Sequence, residues 1–382
     1  MNSDSYFQMI LKEFKKHKMA VFGVFAIIFF ALLAFSAPLI THLTNVSPND
    51  QNVFNRYLPM FSKAAINNND AEMRLEKYLK ANPDVVKDIQ TFQAKHPDYI
   101  WDEEVEEWPY DFLYFYSSID EFKTTAKNSP LDGVQELVDL EKSFYRFHIL
   151  GTDELGRDVL MRLIYGARIS LGVGLFVAFI SAFIGYLVGI ISGYLSGTLI
   201  DTLLMRFTDS LLALPQLPLL IVFAAIDITK LPLLEDLVSK DSESFVKMII
   251  VLSLFSWMTV ARLIRGSILS VKEQEYITAA KAVGSSHLRT IFQHITPNIM
   301  GPLLVAVTLN IGNSILWEAA LSFLGLGIQP PTPSWGNMLF NATEIIYESP
   351  SLAILPGIFI FITVISFNFF GDGIQQALDP KS

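Results

Sequence analysis

The sequence predicts an all-α integral membrane protein of six transmembrane helices, with a cytoplasmic hairpin and a mostly helical extracytoplasmic insert. Three observations predict it. The first is composition: of 382 residues only 17% are charged and 51% are hydrophobic, with 30 Phe, where soluble domains carry about 25% charged residues. The second is a set of six stretches without Asp, Glu, Lys or Arg: 19–49, 169–200, 210–226, 248–261, 290–317 and 349–371. A helix needs about 20 apolar residues to cross the hydrocarbon core. The third and fourth stretches are short and must borrow residues past Asp209 and near Phe245 and Leu263. The third observation is the placement of Lys and Arg in the short loops, which sets orientation. Together these exclude a soluble enzyme and a disordered chain. A formal charge of −10 leaves no global basic footprint for nucleic acid. With no Cys there is no disulfide, thiolate metal site or Cys nucleophile.

The elements follow in order. In residues 1–18, Phe7, Ile10, Leu11 and Phe14 recur at helical spacing among lysines, the pattern of a cytoplasmic interfacial helix. Residues 19–42 form the first span. Their apolar run of 22 residues exceeds the roughly 7–15 of a signal peptide, so the segment reads as an anchor. Lys12, Lys15, Lys16 and Lys18 precede it and place the N-terminus in the cytoplasm. Six crossings return the C-terminus there. The segment between spans four and five carries Arg262, Arg265, Lys272, Lys281 and Arg289, whereas 318–348 has no Lys or Arg; both fit that orientation.

Residues 43–165 form the extracytoplasmic region. Within it, 50–147 is an insert with 19 acidic and 11 basic residues. Its stretch 70–95 reads as helix punctuated by Pro83, and an aromatic run from Trp101 to Tyr116 is interleaved with Glu103, Glu104, Glu106 and Glu107. Without Cys, this insert must hold together by a small core or by docking on its neighbours. It reads either as a spacer or as a platform for a partner. A shorter acidic insert, 227–243, lies on the same side. Residues 166–382 hold spans two to six.

Four features in this core carry a mechanism. Gly185, Gly189, Gly193 and Gly197 recur every four residues, a stripe that lets another helix backbone approach closely. Pro215 and Pro218 should kink span three. Arg206 and Asp209, three apart, read as a local ion pair or as caps near the inner interface, and Glu318 is a carboxyl at the outer end of span five; ionisable groups there are costly and are usually paired or functional. The segment 273–297 reads as a helix over 276–283, a bend at Gly284, and a second helix leading to Pro297, which opens span five. Ala279, Ala280 and Ala282 make the first arm small.

This last segment resembles the ATPase-coupling loop of binding-protein-dependent ABC importer permeases, Glu-Ala-Ala-x3-Gly-x9-Ile-x-Leu-Pro. Ala279, Ala280, Gly284, Ile295 and Pro297 match it, with Thr278 in the usual Glu position and Thr296 in place of Leu. Further segments are similar to the C-type permease of oligopeptide/dipeptide transporters: Gly151 to Asp158, Tyr165 to Leu171, Asp201 to Pro215, Glu318 to Gly327 with Pro333 to Gly336, and Gly371 to Pro380. The resemblance implies a non-catalytic permease subunit of the bacterial inner membrane, with Thr278, Ala279, Ala280, Lys281, Gly284 and Pro297 forming the coupling loop. It implies a homologous second permease, two cytoplasmic ATPases that bind ATP and Mg, and an extracytoplasmic substrate-binding protein. It implies no cofactor on this chain, and the sequence has no Gly-x4-Gly-Lys-Ser/Thr phosphate loop. Peptide is the implied cargo, with nickel or another small solute the alternative. A membrane-anchored sensor or enzyme would need convergent groups in the insert, where an acidic run is the simpler reading. No His-Glu-x-x-His metal motif is present; His287 and His294 read as a solvated face.

Overall fold

The computed structural model describes residues 6–66, 68–99, 116, 119–142, 144–226, 239, 242–340 and 342–378. In chain order, α1 (Tyr6–Lys16) and α2 (Lys18–Thr44) are followed by β1 (Ser62–Ala65), α3 (Asn68–Ala81), α4 (Pro83–Lys95), α5 (Asp120–Lys127), α6 (Asp132–Lys142) and β2 (Tyr145–His148). Then come α7 (Val159–Tyr194), α8 (Leu199–Leu212), α9 (Gln216–Ala225), α10 (Glu243–Lys272), α11 (Glu275–Ala282), α12 (Thr296–Phe323) and α13 (Pro350–Leu378). The chain divides into two units, Asp50–Leu160 and the remainder.

The larger unit is the helical one. Among the described residues α2, α7, α10, α12 with the turns before it, and α13 are long and apolar enough to cross a membrane. Their outward faces are apolar too: Phe22, Phe25, Phe29, Leu32 and Phe35 of α2 are all exposed, Phe35 to 86%. In water such a surface would be untenable; in lipid it is the expected solvent-facing side. The inner face of α2 (Ala20, Phe30, Ala34, Ala37) is buried. It packs on α13, which packs on α12, which packs on α10.

Span three is not a rod. α8 and α9 meet at 87° across Ala213–Pro215, far beyond an ordinary proline kink. Pro215 is the extended N-cap of α9, with ψ 118°, and Pro218 sits in its first turn. Neither supplies a backbone N–H, so the chain leaves α8 and restarts instead of bending through. Span five departs from expectation in the opposite sense. Pro297 stands in the first turn of α12 as expected, but the chain is already helical before it: the span runs on from His287 to Phe323, through a π-helical turn at Thr290–Ile295. There the N–H of Thr296 reaches back to the carbonyl of Ile291. The wider turn accommodates a proline that has no N–H to return.

The smaller unit has its own core. Leu75, Val85, Ile89, Phe92, Tyr116, Phe122, Val134 and Leu137 bury together, so the insert is held by packing. The helix expected over 70–95 is two helices, because Asn82 leaves helical geometry and Pro83 starts α4 at its first position. β1 and β2 pair antiparallel, Ser62 opposite His148 and Ala65 opposite Tyr145. His148 Nδ1 lies 2.8 Å from Asp158, and both are buried. The aromatic run Trp101–Phe115 and most of 227–243 lie outside the described residues.

Candidate functional site

The hairpin between α10 and α12 is built from the inside out. Ile277 of α11 is fully buried against Ile264 and Ile268 of α10, Ile295, and Ile299 of α12. That anchor turns the opposite face outward: Thr278, Ala279 and Lys281 are exposed. The helix then stops by a Schellman arrangement. The N–H of Gly284 bonds Lys281 O and that of Ser285 bonds Ala280 O, both at 3.0 Å. Gly284 has φ +87°, a conformation glycine enters without the penalty a side chain imposes. Ser286 starts the second arm by accepting from Arg289 N. The product is a short, firm tip with Val283 91% and Leu288 68% exposed. Pro297 sits exposed at the foot of the second arm, past the π turn.

One aromatic ties this hairpin to span two. The Tyr194 hydroxyl is 2.6 Å from His287 Nδ1, and its ring takes the Lys281 ammonium at 5.7 Å. The Tyr194 carbonyl accepts from Lys272 Nζ at 2.8 Å.

The glycine stripe packs α7 on α10. A methyl group at Gly185 would meet Val260 Cβ at 2.6 Å; at Gly189, Ala261 O at 2.8 Å; at Gly193, Ile268 Cβ at 2.9 Å. Gly197 does not belong to the stripe. It lies past the end of α7 with φ +82° and open space where a side chain would be, so periodicity there coincides with a turn and not with packing.

The charges are rearranged relative to expectation. Asp209 pairs across to Arg262 of α10 at 3.6 Å, not along its own helix to Arg206. Both partners are more than half exposed, which makes the contact weak. The strong pair is one the sequence did not single out: Asp201, buried, takes Arg265 Nε at 2.8 Å and Nη2 at 3.0 Å. Ser192 and the N–H of Gly197 also donate to it. Asp201 thus staples the α7–α8 turn to α10, about two helical turns before α10 ends at Lys272.

Glu318 is fully buried in a hydroxyl cage. Ser322 Oγ donates to Oε1 at 2.7 Å and Ser170 Oγ donates to Oε2 at 3.0 Å. Each serine in turn accepts a backbone N–H, from Ile328 at 3.0 Å and from Trp335 at 3.2 Å. The carboxyl therefore fastens α7, α12 and the loop 324–336 together. Buried Trp335 closes the knot by donating Nε1–H to Leu163 O.

Several long apolar helices packed on small-residue seams, with a helical hairpin exposed between two of them, make this chain a multi-pass membrane protein. It belongs to the family described as binding-protein-dependent transport system inner membrane component, whose profile matches residues 185–382. A second profile, the N-terminal TM domain of oligopeptide transport permease C, matches 5–59, so its match reaches ten residues into the segment 50–147. Among curated relatives, the glutathione transport system permease protein GsiD of Shigella flexneri is 42% identical over 61% of this chain and 72% of its own length. The dipeptide transport system permease protein DppC of Alkalihalophilus pseudofirmus is 40% identical over the same shares. Among solved structures, an amino acid ABC transporter with histidines aligns with TM-score 0.42 at 16% identity, over 57% of this chain and 94% of that one. Members of this family are transport permease subunits, and ATP hydrolysis belongs to partner ATPases. Among the described residues no group of three or more His, Asp or Glu could hold a metal ion.

Proposed function

We propose that this chain is one of two permease subunits of an ATP-driven importer of peptides, with both termini in the cytoplasm. Two ATPases seat on the coupling hairpins of the two permeases, one of them on the hairpin of this chain, and a binding protein delivers cargo from the opposite face. The observation that carries this reading is the hairpin itself. Thr278, Ala279, Lys281, Val283 and Leu288 present a small, exposed tip on a base fixed by Ile277. An exposed apolar tip on a rigid mount is suited to a groove on a soluble partner. The names of the relatives, glutathione and dipeptide permeases, support peptide as cargo. ATP and Mg belong to the ATPases; this chain converts their closure into alternating access, which requires that the tip contacts differ between the two states.

The test is purification of the intact complex and measurement of ATPase activity and peptide uptake. Lys281→Glu and a bulky Ala280→Trp should leave membrane insertion intact while uptake per ATP falls. Unchanged transport in both variants would reduce the hairpin to a connector. Copurification of two ATPases and a second permease is the expected composition.

A further inference from the structure

A cavity of about 240 Å³ lies where the broken span faces α10 and α12. Its wall on α12 is the stripe Ala306, Asn310, Asn313 and Trp317, spaced four, three and four residues apart as one helix face requires, with Leu309 beside it. Gln216, the first residue after the break, and Ser256 and Thr259 of α10 complete the polar lining, and no charged or imidazole side chain is among the lining residues. Two facts mark this wall. Asn313, Thr259 and Gln216 are exposed although they sit in apolar helices, where a polar group turned to lipid is costly. The Asn310 side-chain amide nitrogen is buried and has no hydrogen-bond partner, which ordinary packing does not leave unpaid. Among the described residues, the buried Ser181, Ser253 and Thr363 hydroxyls elsewhere in the spans also have no partner, but none of them lines the cavity.

We propose that Asn310, Asn313, Gln216 and Thr259 line this subunit's half of the translocation path, and that they recognise the neutral amide groups of a peptide backbone. The proposal rests on the transport reading above and narrows its substrate. Carboxamides both donate and accept, so they match the peptide N–H and C=O whatever the side chains. A wall without charge gives a cargo of either sign neither a trap nor a barrier. The same wall offers a bare divalent cation no carboxylate or imidazole ligand, which sets nickel ions below peptides as cargo. The break before Gln216 opens the wall: a continuous helix through 213–215 would keep the backbone of those residues hydrogen-bonded to itself and leave no step in span three.

The chain has no Cys, so a single introduced thiol is the only one it offers to a reagent. In the assembled complex in proteoliposomes, Asn313→Cys should react with a charged, membrane-impermeant thiol reagent. Its rate should change between nucleotide-free and nucleotide-trapped complexes, and modification should block uptake. Phe361→Cys, on the exposed apolar face of α13, should stay unreactive as the lipid-facing control. Asn310→Ala should raise the KM for peptide uptake about two- to tenfold, by the same factor for dipeptides with acidic, basic and neutral side chains. An unreactive Asn313→Cys in every nucleotide state, or modification that leaves uptake intact, overturns the path assignment. A KM effect confined to one side-chain charge overturns backbone recognition. If the unmodified complex takes up no peptide while Asn313→Cys still labels in a nucleotide-dependent way, it is the peptide reading that fails, and the path assignment stands.

Discussion

Replacing Glu318 tests whether the hydroxyl cage holds the end of span five or merely surrounds it. In Glu318→Ala both oxygens vanish, and the Ser322 and Ser170 hydroxyls lose the acceptors now 2.7 and 3.0 Å away. Each orphaned buried donor costs about 1–3 kcal/mol. Both serines are buried, which keeps bulk water from supplying the lost acceptors. Adding the void left by the side chain, we expect a loss of about 3–5 kcal/mol. Glu318→Gln keeps one acceptor and turns an amide donor toward the other hydroxyl, whose second lone pair can take it. That exchange should cost about 1–2 kcal/mol. The assay is reversible unfolding in detergent micelles, paired with amide exchange over 324–336. The loop should lose protection in the Ala variant and largely keep it in the Gln variant. Wild-type stability for Glu318→Ala would refute the cage. Equal losses for Ala and Gln would show that carboxylate charge, and not hydrogen-bond matching, holds the site.

Three further contacts of the fold are tested by substitution. Gly189→Ala places a methyl 2.8 Å from Ala261 O and Ile264 Cβ, about 0.7 Å inside normal contact, and should cost about 1–3 kcal/mol in the same unfolding assay; Gly266→Ala, with nothing within 4 Å, should be neutral or slightly stabilising. Arg265→Ala leaves Asp201 buried without its cation. Because Arg265 is about one-third exposed, the loss should be about 2–4 kcal/mol, and Asp201→Asn in that background should recover part of it. Tyr78 is held protonated by partial burial and by the Glu136 carboxylate that its hydroxyl donates to, with its pKa pushed up to about 12. Between the ordinary tyrosine value near 10 and 12 the unfolded chain releases this proton and the folded one keeps it, so stability should fall as pH rises through that window. Tyr78→Phe should abolish that part of the slope, seen by tyrosinate absorbance and by the unfolding midpoint against pH.

The spans were legible because lipid imposes a one-dimensional rule: length without charge. That rule finds α2, α7, α12 and α13 directly. It cannot see direction, so the 87° break in span three looked like a kink at Pro215 and Pro218. It also counted Pro297 as a start, because a π turn leaves no mark in composition. The hairpin was readable because Gly284 marks a left-handed residue and the alanines mark a thin arm. Side-chain pairing across helices was not readable. Asp209 has Arg206 three residues away, but the partner it finds, Arg262, lies beyond the uncharged stretches of spans three and four. The Asp201–Arg265 staple spans 64 residues and the Glu318–Ser170 contact 148; no local pattern encodes either. Gly197 shows the converse hazard, a periodic position whose glycine serves a turn.

The unbroken helix from His287 to Phe323 has a mechanical consequence. Its 37 residues reach about 55 Å at 1.5 Å per residue, well beyond the roughly 30 Å of hydrocarbon it must cross. Such a beam behaves as a seesaw: tilting it about a fulcrum inside the bilayer swings the hairpin end and the Glu318 end in opposite senses. Were the proposed ATPase contact to pull on the tip, the displacement would be carried, inverted, to the far end of the helix some fifty ångströms away.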